Sequence, residues 1–168
     1  MIVEERVVSY IHSLDSGNGE FLDKLRFQAE EDKIPIIRQE TEQLLKVLLR
    51  LKQPKHILEV GTAIGYSALV MAANVPEESK ITTIEKYEKR IPLAYQNFQD
   101  AKMEHKITLL EGDAIEILKT LTPAYDFIFM DAAKGQYLHF FPEVMRLLEN
   151  GGILVSDNVL QDGDIMES

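Results

Sequence analysis

The chain holds 168 residues, of which 45% are apolar and 27% charged, the size and composition of one globular domain with a real core. It contains no Cys, which excludes a disulfide framework, a thiolate zinc site, an iron–sulfur cluster and thiol catalysis. The net charge of −10 sits at the two ends: residues 1–32 carry eight acids and three bases, and residues 150–168 carry four acids and no base. A strongly acidic total argues against a nucleic-acid footprint, although a local patch such as Lys86, Lys89 and Arg90 stays open to that reading beside the simpler one of a solvated helix face. No apolar run approaches the ~18 residues of a membrane span. The opening Met1-Ile2-Val3-Glu4-Glu5 lacks the basic and apolar regions of a signal peptide, so a cytoplasmic location is expected.

Helical spacing of Val3, Val7, Tyr10 and Ile11, then of Phe21, Leu25 and Ala29, predicts helices over 2–14 and 19–32, separated by Asp15-Ser16-Gly17-Asn18-Gly19. Ile37 to Leu51 reads as a third helix with Thr41, Leu44, Leu45, Leu48 and Leu49 along one stripe. Residues 1–52 thus form a helical N-terminal part, and the pattern changes over 53–168. There, strands are expected at His56–Val60, Lys80–Glu85, Ile107–Leu110, Asp126–Met130 and Ile153–Ser156. Helices are expected between them at 65–75, 87–102, 113–120 and 136–148. Phe127-Ile128-Phe129-Met130 is apolar at consecutive positions, as in a parallel sheet covered on both faces. The alternation predicts a single α/β domain with a doubly wound, Rossmann-like sheet, whose ligands would bind at the carboxyl ends of the strands.

The first strand runs into Glu59-Val60-Gly61-Thr62-Ala63-Ile64-Gly65-Tyr66-Ser67, a Gly turn opening a helix. Its G-x-x-x-G spacing differs from the dinucleotide fingerprint G-x-G-x-x-G. The second strand ends in Glu85, where a carboxylate could accept hydrogen bonds from both hydroxyls of a ribose, and together the two features point to a nucleoside. After the third strand comes Gly112-Asp113-Ala114, in which Asp113 could cap the next helix or meet an adenine amino group. Asp131 ends the fourth strand and Asp157-Asn158 the fifth. These hard oxygen donors suit Mg²⁺ or a similar cation, or else are a strand-end acid and turn residues. Lys134 could act as a base in the same crevice or be simply solvated. His12, His56, His105 and His139 have no ligand spacing and read as surface or packing residues, while Tyr137, Phe140 and Phe141 read as a helix core stripe, with Tyr137 also a candidate to face the substrate.

The runs Ile57 to Ser67, Phe129-Met130-Asp131-Ala132-Ala133-Lys134-Gly135-Gln136-Tyr137 and Ser156-Asp157-Asn158-Val159-Leu160 resemble those of the divalent-metal-dependent O-methyltransferases, the group that includes catechol and caffeoyl-coenzyme A methyltransferases. Ile34-Pro35-Ile36-Ile37 resembles the segment that closes over the methyl donor in that family. Within the family, G-T-A-I-G-Y-S with D-A-A-K-G-Q-Y looks most like the bacterial branch that includes tRNA 5-hydroxyuridine methyltransferase, which forms 5-methoxyuridine at the wobble position.

The resemblance implies S-adenosylmethionine contacts at Ile37, Glu59, Gly61, Ser67, Glu85, Gly112, Asp113, Ala114 and Asp131. It also implies Mg²⁺ held by Asp131, Asp157 and Asn158, and Lys134 as the base. It implies a homodimer as well, with the N-terminal helices as an interface or lid, and a tRNA wobble uridine as acceptor. A small catechol-like phenol is the alternative acceptor. Relatives of this kind continue past the metal motif with two further strands, so the chain is expected to be a C-terminally shortened form with a bare sheet edge, and a donor-binding module with little activity is a further reading. A nucleotide-dependent oxidoreductase would also use Glu85, but the Gly spacing is wrong for it and a metal triad has no role there.

Overall fold

In the computed structural model the described residues are 4–122, 124–131, 136–157 and 159. Three helices come first: α1 (Glu5–Ser13), α2 (Glu20–Glu31) and α3 (Gln39–Lys52). Gln53 then turns left-handed at φ 49° and returns its N–H to the carbonyl of Leu49 at 2.8 Å. With Pro54 following, the helix stops there. Strands and helices alternate afterwards: β1 (His56–Val60), α4 (Tyr66–Ala73), β2 (Lys80–Glu85), α5 (Ile91–Asp100), β3 (Ile107–Glu111), α6 (Ala114–Thr120), β4 (Tyr125–Met130), α7 (Tyr137–Leu147) and β5 (Leu148–Ser156).

The strands form one parallel sheet in the order β3-β2-β1-β4-β5. Side chains alternate across it, as the pleat requires. Ile57, Ile81, Ile107, Leu109, Phe127 and Phe129 enter one apolar cluster with Leu22, Ala29, Leu45, Leu49, Leu69 and Phe98 from α2 to α5. Leu58, Val60, Ile84, Ile128 and Met130 enter the other with Leu118, Phe140, Val144 and Leu147 from α6 and α7. Each face of the sheet is therefore closed by helices, which explains the consecutive apolar positions in β1 and β4.

The expected doubly wound α/β architecture is found, with changes at particular elements. Among the helices between strands, the largest shift is in α5, which starts at Ile91 rather than 87. Pro92 lies in its first turn, where its fixed φ and missing N–H suit the start of a helix. β5 begins at Leu148 rather than Ile153. It advances from Leu148 to Ile153 while β4 advances from Tyr125 to Phe127. Gly151, at φ +79°, accommodates this irregularity, and Lys52 Nζ donates to its carbonyl at 3.0 Å. Leu44 and Phe141, expected in core stripes, are exposed, because Leu45, Leu49, Phe140 and Val144 face the sheet instead. All four histidines are at the surface, as expected.

Candidate functional site

In this strand order β1 lies between β2 and β4, so the direction of winding reverses at the carboxyl ends of β1 and β4. That is where such sheets open a crevice. Residues 61–65 turn there through three positive φ angles: Gly61 at 107°, Ala63 at 47° and Gly65 at 84°. The amides of Gly61 and Thr62 both donate to the carbonyl of Ile84 at 3.1 Å, and Gly65 N donates to the carbonyl of Thr62 at 2.8 Å. A Cβ at Gly65 would run into the ring of Phe98, so position 65 needs Gly for both its backbone angle and its space.

Glu85, at the end of β2, is tied to this turn. Its Oε2 accepts from Ala63 N at 2.7 Å, and its Oε1 accepts from Lys86 N at 3.0 Å and Tyr87 N at 2.8 Å. Those amides account for both lone pairs of Oε1 and one of Oε2, so the remaining acceptor position belongs to Oε2.

Glu59 on β1 is fully buried and Thr83 Oγ1 donates to its Oε2. Thr62 Oγ1 lies 2.6 Å from Thr83 Oγ1, so the two hydroxyls form a chain leading to the carboxyl. Among the described residues Glu59 Oε1 has no hydrogen-bond partner. Burial pushes this carboxyl up to about 8, with the charges of Asp131 and Glu85 adding to the effect and Ser67 and Thr83 opposing it. An orphaned buried acceptor beside this glycine turn fits a polar, amine-bearing ligand.

Beyond β3, Gly112 N donates to the carbonyl of Glu85 at 2.8 Å. Asp113 caps α6, accepting from Ile115 N at 2.9 Å, while its other oxygen is 3.4 Å from Lys86 Nζ. The capping alternative for Asp113 is therefore realised. Ala114 is the first residue of α6.

Met130 pairs with Ser156, so Asp131 and Asp157 follow side by side on neighbouring strands. Asp131 N donates to the carbonyl of Val60 at 3.0 Å, and Asp157 N to that of Met130 at 3.1 Å. Tyr137, expected in a core stripe, sends its hydroxyl to these strand ends: it donates to the carbonyl of Asp157 at 2.8 Å and lies 3.2 Å from that of Met130. Burial first, then the charges of Asp131 and Asp157, raise the Tyr137 phenol above its ordinary range, so it stays a donor. Thr41 of α3 donates to Asp157 Oδ1 at 3.0 Å. Among the described residues no group of three or more His, Cys, Asp and Glu converges. Asp131 and Asp157 supply two hard carboxylates from adjacent strand ends, a donor set that fits Mg²⁺ or a similar cation. Lys134 and Asn158 lie outside the described residues.

The N-terminal helices contribute a cluster that sequence reasoning missed. Glu42 of α3 is fully buried and accepts from Tyr66 Oη at 2.7 Å, from Asn18 Nδ2 at 2.7 Å and from Arg26 Nη2. Lys46 Nζ is 2.7 Å from Oε1, the oxygen that Asn18 also bonds, while Tyr66 and Arg26 share Oε2. Burial would raise this carboxyl, but the Lys46, Asn18, Tyr66 and Arg26 donors outweigh it and bring it down to about 2. Arg26 also donates to Tyr66 Oη at 3.0 Å and to the carbonyl of Ile37 at 3.4 Å, and its guanidinium lies 4.8 Å from the centre of the Tyr66 ring. The Ile37 side chain is buried in the cluster shared with α2, α3 and α4. Ser67, next to Tyr66 in the first turn of α4, is nearly buried. Two neighbours of Glu42 also bond outward: Gln39 donates to Asp15 at 2.5 Å, and Glu40 is 2.9 Å from His12 Nε2.

The sheet order and the acids at its carboxyl edge define a Rossmann-like methyltransferase fold. Residues 12–168 match the O-methyltransferase family, and the chain belongs to it. Similar curated relatives include a catechol O-methyltransferase of Niastella koreensis, 35% identical over 73% of this chain and 58% of that one. Another is caffeoyl-CoA O-methyltransferase 2 of Populus trichocarpa, 34% identical over 74% of this chain and 53% of that one. The chain thus spans little more than half the length of these curated relatives. Among solved structures, the O-methyltransferase TomG of Streptomyces achromogenes, in complex with SAM, superposes with a TM-score of 0.87 at 31% identity, covering 99% of this chain and 79% of that one. The SAH-bound Podospora anserina methyltransferase PaMTH1 gives 0.88 at 28% identity, covering 96% and 72%.

Proposed function

We propose that this chain transfers a methyl group from S-adenosylmethionine to a ring hydroxyl, with a divalent cation at the strand ends. The observation that carries this reading is the alignment of Glu59, Glu85, Asp131 and Asp157 along one carboxyl edge in a member of the O-methyltransferase family. When bound, S-adenosylmethionine supplies the methyl group and the cation favours ionisation of the acceptor hydroxyl. Ile37, Gly61 and Ser67 border the methionine end of the donor. The free acceptor position on Glu85 Oε2 receives its ribose, and Gly112, Asp113 and Ala114 lie toward its adenine. Glu59 Oε1 accepts from the donor's amino group, which satisfies the orphaned oxygen. Asp131 and Asp157, with Asn158, would hold the cation, and Asp131 would also meet the donor's amino group. Lys134 takes the acceptor proton. Holding both partners in one orientation is then the main contribution of these residues.

The names of the catechol and caffeoyl-CoA relatives support a small phenol as acceptor. The motif resemblance noted in the sequence supports a tRNA 5-hydroxyuridine as a second reading. Both present a ring hydroxyl beside a second oxygen, so one donor and cation site suits either. The apolar side chains of Tyr10 on α1, Leu14 just after it, and Leu44, Val47 and Leu51 on α3 are left exposed and support a homodimer. Among the described residues no helix is long and apolar enough to cross a membrane, which is compatible with the proposed cytoplasmic location.

The test is methyl transfer from labelled S-adenosylmethionine with Mg²⁺ to a catechol panel and, separately, to tRNA carrying 5-hydroxyuridine. Transfer to phenols alone selects the first acceptor, and transfer to tRNA alone the second. Absence of S-adenosylhomocysteine binding by calorimetry overturns the donor reading itself.

A further inference from the structure

The buried cluster around Glu42 lies outside the strand-end acids and has no part in the chemistry proposed above. It is expensive to bury. Arg26 and Lys46 bring two cations to one carboxylate, and the Glu42 side chain has no exposed surface. Apolar residues of similar volume often serve stability as well as such a group or better, and the ionic version distinguishes itself by fixing geometry. Arg26 fixes three things with one planar fork. From α2 it reaches Glu42 on α3, the hydroxyl of Tyr66 at the start of α4, and the carbonyl of Ile37 in the segment before α3. Tyr66 lies between Gly65, which closes the strand-end turn, and Ser67. The amide of Leu69, one turn on, bonds the Gly65 carbonyl at 3.0 Å, so the first turn of α4 is continuous with that loop.

We propose that Arg26 is a positioning residue for the donor site, holding the Ile37 segment and the first turn of α4 at a fixed separation through Glu42 and Tyr66. This inference rests on the donor reading given above. A guanidinium can serve three acceptors in fixed directions while stacking on a ring, whereas an ammonium at the same place keeps the charge for Glu42 without that fork. Lys at position 26 is therefore expected to preserve the ion pair and lose the separation.

The experiment uses the whole chain, with S-adenosylhomocysteine as the calorimetric probe, at a temperature where every protein compared is folded by circular dichroism. Arg26→Lys is expected to melt near the parent protein yet bind the probe about fivefold or more weakly, the scale of coupling through a packed network. Arg26→Met is expected to bind more weakly still. Should Arg26→Met not fold, Arg26→Lys alone decides. Probe affinity within twofold of the parent in Arg26→Lys overturns the positioning role and leaves the donor reading intact. A parent protein that does not bind the probe overturns both.

Discussion

The Tyr137 hydroxyl, carried by α7, donates to the main-chain carbonyl of Asp157 at 2.8 Å, beyond the end of β5. Because the same hydroxyl lies 3.2 Å from the carbonyl of Met130, it joins the two strand ends that carry the proposed cation ligands. Tyr137→Phe keeps the ring and removes only this link. It is expected to cost about 1 kcal/mol in urea unfolding, the ordinary net worth of one hydrogen bond. Mn²⁺ affinity, read by calorimetry, should fall with it, since the carboxylates lose the backbone frame that orients them.

Asp157→Asn removes one of the two described carboxylates while leaving Thr41 a partner for hydrogen bonding. Cation affinity is expected to drop about 10–100-fold or more, the range seen even for outer partners of metal ligands. S-adenosylhomocysteine binding should change little, because Asp157 has no proposed donor contact. Chelation of divalent cations should suppress methyl transfer in the parent protein in the same way. Methyl transfer that survives thorough chelation would rule out the cation.

Gly65→Ala forces a side chain into the left-handed region and toward the Phe98 ring. A strained φ together with overpacking should destabilise the fold by about 2–4 kcal/mol. Denaturant midpoints measure this directly. Gly65→Ala combined with Phe98→Leu should recover part of the loss, because it relieves the contact but not the backbone angle.

Glu59 and Glu42 give the protein opposite pH dependences. With its carboxyl raised from 4.5 to about 8, folded Glu59 keeps a proton that the unfolded chain releases. Stability of the ligand-free protein should therefore fall as pH rises between those values. Glu42 is lowered from 4.5 to about 2, so its contribution is present in full above 4.5 and is lost as pH falls toward 2. Glu59→Gln should flatten the decline between about pH 5 and 8 in thermal melts and leave the acid side unchanged. A slope that persists in Glu59→Gln would assign the decline to another group.

The sheet and its carboxyl edge were legible because their signals are local. The apolar run Phe127 to Met130 marks β4 and Ile57-Leu58 with Val60 marks β1, and each ends in a turn or an acid whose position follows from the run itself. The Gly61 to Ser67 turn and Glu85 could be paired on paper for the same reason. The helical contribution was not legible. Arg26 lies 16 residues from Glu42 and 40 from Tyr66, and Thr41 lies 116 from Asp157. No periodicity reports contacts across such separations. Helical spacing places Thr41 in an apolar stripe, yet its hydroxyl is used for Asp157. Tyr137 likewise has the spacing of a core residue, and only the approach of β5 to β4 shows what its hydroxyl touches.

Four consecutive side chains at the start of α3 reach different parts of the molecule: Gln39 to Asp15, Glu40 to His12, Thr41 to Asp157, and Glu42 to the Arg26 cluster. The covalent link from α3 to β1, through Gln53, Pro54 and Lys55, is therefore not what holds the helices to the sheet. A chain nicked in that link would keep both pieces together as a noncovalent pair, and a sheet fragment made without α3 would carry Tyr66 without Glu42 and Asp157 without Thr41.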